Sequence, residues 1–126
     1  MKETTQNNIN VIEAIYRYVV RLPEDQISGL TIKMLAMRFA VSRCHISRRF
    51  HDERGMTLAS FIQRRKLLLA ERFLLREPNL TVKCLACRLG YSDYQYFILL
   101  FREQWGESPG RYRKLYAGSL EVVSTQ

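Results

Sequence analysis

The sequence predicts an all-α protein in which two helix-turn-helix lobes are joined by a long connecting helix, about seven helices in all. Three observations predict it. The stretch 31–57 recurs in apolar pattern and punctuation at 81–108. Apolar residues fall at helical rather than alternating spacing between hydroxyl, glycine and proline punctuation. The second helix of the first repeat, and the linker after it, carry polar and basic residues on the face left over from the apolar one.

The repeat is read directly: Thr31-Ile32-Lys33-Met34-Leu35-Ala36 aligns with Thr81-Val82-Lys83-Cys84-Leu85-Ala86. After one extra residue in the second turn, Ile46, Phe50, Gly55 and Thr57 answer to Phe97, Phe101, Gly106 and Ser108.

Residues 1–8 form a polar lead expected to fray. Ile9, Ile12, Ile15, Tyr16 and Val19 then lie on one helical face until Pro23 ends the segment. Thr31 offers its hydroxyl to the free amides of a short helix carrying Met34, Leu35 and Phe39. Ala40-Val41-Ser42 makes the turn, and Ser42 can cap a helix from Arg43 to Glu53 that buries Ile46 and Phe50 and leaves Arg43, Ser47 and Arg48 outward. Gly55 tolerates the left-handed conformation that closes it. Residues 57–77 read as one helix closed by Pro78; at 1.5 Å per residue, about 20 residues span roughly 30 Å. Adjacent major-groove sites on one face of B-DNA lie about 34 Å apart, so such a strut could set two recognition helices one turn apart. The second unit repeats the plan: Thr81 caps Val82 to Arg88, Gly90-Tyr91 turns, and Ser92 or Asp93 caps a helix from Tyr94 to about Trp105. The expected divisions of a single unit 1–126 are therefore 9–56, 57–77, 78–117 and a flexible tail 118–126.

With 126 residues, the chain has room for one ordinary domain or two small lobes, and not for an additional ligand-sensing domain. Twenty Lys and Arg against 12 Asp and Glu leave a net charge of +8, which favours a polyanionic partner. Duplex DNA offers the same groove at every helical turn and suits a repeated basic unit. No apolar run is long enough for a membrane span, the N-terminus lacks signal-peptide character, and three cysteines fit a reduced compartment; the expected location is cytoplasmic. Cys84-x-x-Cys87 has metal-ligand spacing, but no second pair accompanies it, and the two are expected as small buried hydrophobes. No nucleophile is paired with His45 or His51 and no glycine-rich phosphate loop appears, so neither an enzyme nor a cofactor is expected.

The residues resemble the AraC/XylS family of bacterial transcription regulators over about 9–116. The most specific part is Phe101 through Arg113, which is similar to the family's closing F-x-x-x-x-G-x-S/T-P-x-x-Y-R run. Leu35-Ala36, Leu85-Ala86, Gly90-Tyr91-Ser92 and Phe61 through Leu67 support it. In length the chain is similar to the family's stand-alone members, which bind DNA as monomers. The resemblance implies a cytoplasmic regulator, in the family's usual mode an activator that recruits RNA polymerase, with two recognition helices in adjacent major grooves of a promoter.

Carried over residue by residue, the resemblance makes Cys44, Ser47 and Arg48 the base-reading positions of the first unit. Arg48 is the strongest of them, since a guanidinium pairs with guanine O6 and N7. Arg43 and Arg49 lie nearby and are expected on phosphates; as basic residues that can fix register without reading sequence, Arg64, Arg65 and Lys66 on the linker and Arg111 and Arg113 near the end are expected there too. About eight neutralised phosphates would give log affinity a slope near −7 against log salt. The second unit departs from the pattern, placing Tyr94, Gln95, Ile98 and Leu99 where polar or basic residues are usual. Gln95 can read adenine and Ile98 could touch a thymine methyl, but Leu99 stands in the place of Arg48. Three readings stay open: weak DNA binding by this helix, an exposed apolar patch for a protein partner, or a rotated helix that buries the patch. The rival function is that of an interaction module that captures another regulator through this surface.

Overall fold

The computed structural model describes the backbone of residues 2–125 and the side chains of residues 11–117. Among the described residues there are seven α-helices, one 3-10 helix and no strand. The α-helices are α1 Lys2–Arg21, α2 Ile32–Arg38, α3 Arg43–Arg54, α4 Leu58–Arg76, α5 Val82–Arg88, α6 Tyr94–Trp105 and α7 Pro109–Thr125. Helix α1 begins before Ile9 and α7 runs past Gly118, where a polar lead and a flexible tail were expected. The side chains of those two stretches lie outside the described ones.

The chain divides into two compact units, 1–65 and 66–126, and the division falls within α4. The connecting helix is thus shared out rather than standing apart: Leu58 and Ile62 are buried on its first part, Leu67, Leu69, Ala70, Phe73 and Leu74 on its second. That double duty explains why its apolar residues exceed a narrow stripe.

In the first unit α1 buries Ile12, Ile15 and Val19. The 3-10 helix Glu24–Gly29, absent from the sequence reading, turns the chain back while burying Ile27 and Leu30. Six residues are too few for a periodic signal, which is why the pattern did not reveal it. The pair α2 and α3 then closes over Leu35, Ile46 and Phe50, with the Phe50 ring 5.2 Å from that of Phe61 on α4 and Phe61 stacked on Tyr16 of α1 at 5.2 Å. Arg54 at the end of α3 ties back to α1, donating to Glu13 at 2.8 Å and lying 4.3 Å over the Tyr16 ring.

The second unit repeats this with α5 and α6 over Leu85, Leu89, Phe97 and Phe101. An aromatic chain, Phe97 to Phe101 at 6.0 Å and Phe101 to Tyr112 at 5.5 Å, links α6 to α7. Two polar groups of this core are matched. The Trp105 indole N–H donates to Leu67 O at 3.1 Å, and the Tyr112 hydroxyl donates to the Glu71 carboxylate.

The two inter-helix turns have the same construction. In each, the residue after the C-cap takes a left-handed conformation and the next amide reaches back five residues: Val41 N to Ala36 O at 3.0 Å, Tyr91 N to Ala86 O at 2.9 Å. Gly90 occupies the left-handed position in the second unit with φ 92°, but Ala40 occupies it in the first with φ 56°. A Cβ in that region costs roughly 1–2 kcal/mol, so the first turn is held against a local strain that the second avoids.

Candidate nucleic-acid interface

Both second helices are built on one frame. Ser42 Oγ accepts from His45 N at 3.0 Å at the start of α3, and Asp93 Oδ1 accepts from Gln95 N at 3.0 Å at the start of α6. Each helix has 12 residues and ends on a left-handed glycine, Gly55 with φ 75° and Gly106 with φ 86°. The first helices are capped alike, Thr31 accepting from Met34 N and Thr81 from Cys84 N. Since Asp93, not Ser92, is the cap that matches Ser42, Arg43, Cys44, Ser47 and Arg48 correspond to Tyr94, Gln95, Ile98 and Leu99.

On α3 the buried residues are Ile46 and Phe50. At 100° per residue the opposite direction falls on Arg48, with Cys44 and His51 on one side of it and His45 on the other. Arg43, Cys44, His45, Arg48 and His51 are exposed, and Ser47 is half-buried. Arg49, also half-buried, is drawn along its own helix to Glu53 at 2.6 Å. A thiol, a hydroxyl and an exposed guanidinium therefore share the outward side of α3.

On α6 the buried set is Phe97, Leu100 and Phe101. Leu99 points outward and is 57% exposed, with Tyr96 at 52% and Tyr94 at 37%. Gln95 is exposed and Ile98 half-buried. This overturns the reading in which the helix rotates to bury its apolar patch. Three apolar residues already fill the inward side, and none of them is Leu99.

The basic residues of α4 and α7 divide more sharply than their sequence suggested. Arg64 is exposed, and so is Arg111, which pairs with Glu107 at 3.2 Å. Arg65 instead donates to Val20 O at 2.9 Å, satisfying a carbonyl in the last turn of α1, where four such groups lack helical partners. Arg113 does the same for the end of α4, donating to Leu74 O at 3.0 Å, Glu77 O at 3.0 Å and Leu80 O at 2.7 Å. Lys66 is buried, its ammonium 5.4 Å from the centre of the Tyr91 ring, and desolvation lowers its pKa. The same burial, with Tyr96 nearby, raises the Tyr91 phenol to about 12. Arg65, Lys66 and Arg113, expected on phosphates, are thus committed to structure. The missing signal was helix-end geometry, since a carbonyl seeking a donor leaves no mark in the sequence.

Cys84 and Cys87 are exposed, not buried as expected, because α5 packs through Leu85 and Ala86 between them. Among the described residues no group of three or more His, Cys, Asp or Glu is arranged to hold a metal ion, and no helix is long and apolar enough to cross a membrane.

A family model described as a helix-turn-helix domain matches residues 35–115. An uncharacterized HTH-type transcriptional regulator of Bacillus subtilis is 37% identical over 90 residues, 71% of this chain, and the match spans 28% of that protein's length. The DNA-binding domain of AdpA, a global transcriptional factor solved in complex with a target DNA, superposes with a TM-score of 0.70 at 25% identity, covering 86% of this chain and 94% of that one. A probable AraC family transcriptional regulator from Rhodopseudomonas palustris gives a TM-score of 0.62 at 25% identity, over 86% of this chain and 95% of that one.

Proposed function

The chain belongs to the AraC-type helix-turn-helix family, and from that premise we propose that it is a sequence-specific regulator of transcription that places α3 and α6 in adjacent major grooves of a promoter. The observation that carries the reading is the common frame of the two helices: same cap position, same length, same glycine end, same buried phase. A relative of similar fold held on its target DNA supports it.

In this reading Arg48 takes a guanine, and Ser47 and Cys44 contact neighbouring bases. Tyr94, Gln95 and Ile98 face the second groove. Arg43, Arg49, Arg64 and Arg111 hold phosphates and set the register without reading sequence. Arg111 must first leave Glu107, which costs little, because exposed pairs are worth at most about 1 kcal/mol, and Arg49 must leave Glu53. The protein acts as a monomer in the cytoplasm, as an activator that presents RNA polymerase to the promoter.

The test is selection of bound genomic fragments by the purified protein at about 150 mM salt, a concentration at which non-specific phosphate binding is weak. An asymmetric site with two information-rich stretches a helical turn apart is the expected result. Arg48→Ala should then weaken binding by roughly 5- to 150-fold and relax one position of one stretch. Absence of any enriched sequence would sink the proposal.

A further inference from the structure

The face of α6 is built for different bases from the face of α3. From Tyr94 through Phe101 that helix carries no charged residue; Arg102 in its last turn is the first. The two helices share one register, so the outward centre held by Arg48 on α3 is held by Leu99 on α6. A leucine that is 57% exposed, with the half-exposed Tyr96 on the same side of the helix, gains nothing from water. In the major groove the apolar feature of a base edge is the C5-methyl of thymine, whereas guanine is read by Arg or Lys. Gln95, one helical turn before Leu99, carries the amide that pairs with adenine N6 and N7. Both side chains at the middle of this face therefore suit A·T pairs, and neither suits G·C.

We propose that α6 reads an A·T half-site through thymine methyl groups, with Leu99 and the half-buried Ile98 against the methyls and Gln95 against an adenine. This rests on the reading that α6 enters the major groove, and it assigns the base chemistry of that contact. The operator then consists of two unlike halves: one contains a guanine taken by Arg48, the other is rich in thymine and depends on methyl groups. Because no charge is spent on its bases, the second half is read with little dependence on salt at the base edge, and salt acts on it through phosphates alone.

The experiment uses the full chain and the site selected above. Each thymine of the α6 half-site is replaced in turn by deoxyuridine, which removes only the methyl, and affinity is read by fluorescence anisotropy. The same replacement in the α3 half-site serves as control. A contacted methyl should cost about fourfold in affinity. Leu99→Ala should weaken binding to the thymine duplex and no longer distinguish it from the deoxyuridine duplex, whereas Arg48→Ala should keep that distinction. Leu99 is exposed, so circular dichroism should show the variant folded.

A protein that binds its selected site and depends on Arg48, yet ignores deoxyuridine at every position of the second half, overturns the proposal while the regulator reading stands. Leu99→Ala that leaves both affinity and methyl dependence intact overturns the assignment to Leu99 and opens that face to a protein partner. If no site is selected at all, the regulator reading fails and this proposal fails with it.

Discussion

Ala40 sits at φ 56°, in the position where the second unit uses Gly90. Ala40→Gly removes the Cβ clash but loosens the unfolded chain, and the first effect is the larger. Urea unfolding should show a gain of about 0.5–1 kcal/mol with an unchanged slope. Lys66 presents the opposite case, a charge rather than a conformation held at a cost. Its native pKa lies below 10.5, so the unfolded chain binds more protons in the window between the two values, and stability rises with pH there. Lys66→Met keeps the stem over Tyr91 without the charge. It should stabilise the protein on the order of 1 kcal/mol at pH 7, with the advantage over wild type shrinking as pH climbs towards 10.5. A gap that stays constant with pH would mean the buried ammonium carries no penalty. Arg113→Ala removes the side-chain donor from Leu74 O, Glu77 O and Leu80 O, at and just past the end of α4, and should cost about 1–3 kcal/mol in thermal unfolding, while leaving the salt dependence of DNA binding where it was. None of these three roles is legible from residue type. Alanine, lysine and arginine are all ordinary on helix surfaces, and only φ, burial and the position of a neighbouring carbonyl distinguish them.

At the level of elements, punctuation was the readable part. Thr31, Ser42, Thr81, Gly55 and Gly90 stand where the local rules put them, because capping and left-handed closure involve partners within six residues. The choice between Ser92 and Asp93 was open in the sequence, and the structure gives it to Asp93, which accepts from both Gln95 N and Tyr96 N. Asp93→Ala should therefore cost about 1 kcal/mol and Ser92→Ala almost nothing, as measured by thermal melts. The 3-10 helix and the exposure of Cys84 and Cys87 were not readable. A six-residue element has no period, and on a seven-residue helix whose buried pair is Leu85 and Ala86, the flanking positions fall outside whatever their own hydrophobicity.

For the whole molecule, the consequence of the committed side chains is electrostatic. Seven arginines and lysines were expected on phosphates, and with Arg65, Lys66 and Arg113 withdrawn, Arg43, Arg49, Arg64 and Arg111 remain. The slope of log affinity against log salt should accordingly lie near −4 rather than near −7, as a titration between low and physiological salt would show. A slope as steep as −7 would mean that other exposed cations take up the backbone. The sequence by itself determined the all-α class, the doubling of the helix-turn-helix unit and the outward residues of α3, because each of these follows from periodicity and from contacts close along the chain; the family was legible through the resemblance of its closing run, Phe101 through Arg113. The tertiary structure alone decided which cations are taken up inside the lobes, that Leu99 faces out while Leu100 faces in, and that α4 is divided between two cores. Those outcomes depend on residues such as Val20 and Arg65, or Leu80 and Arg113, that lie far apart along the chain and meet only when the helices pack.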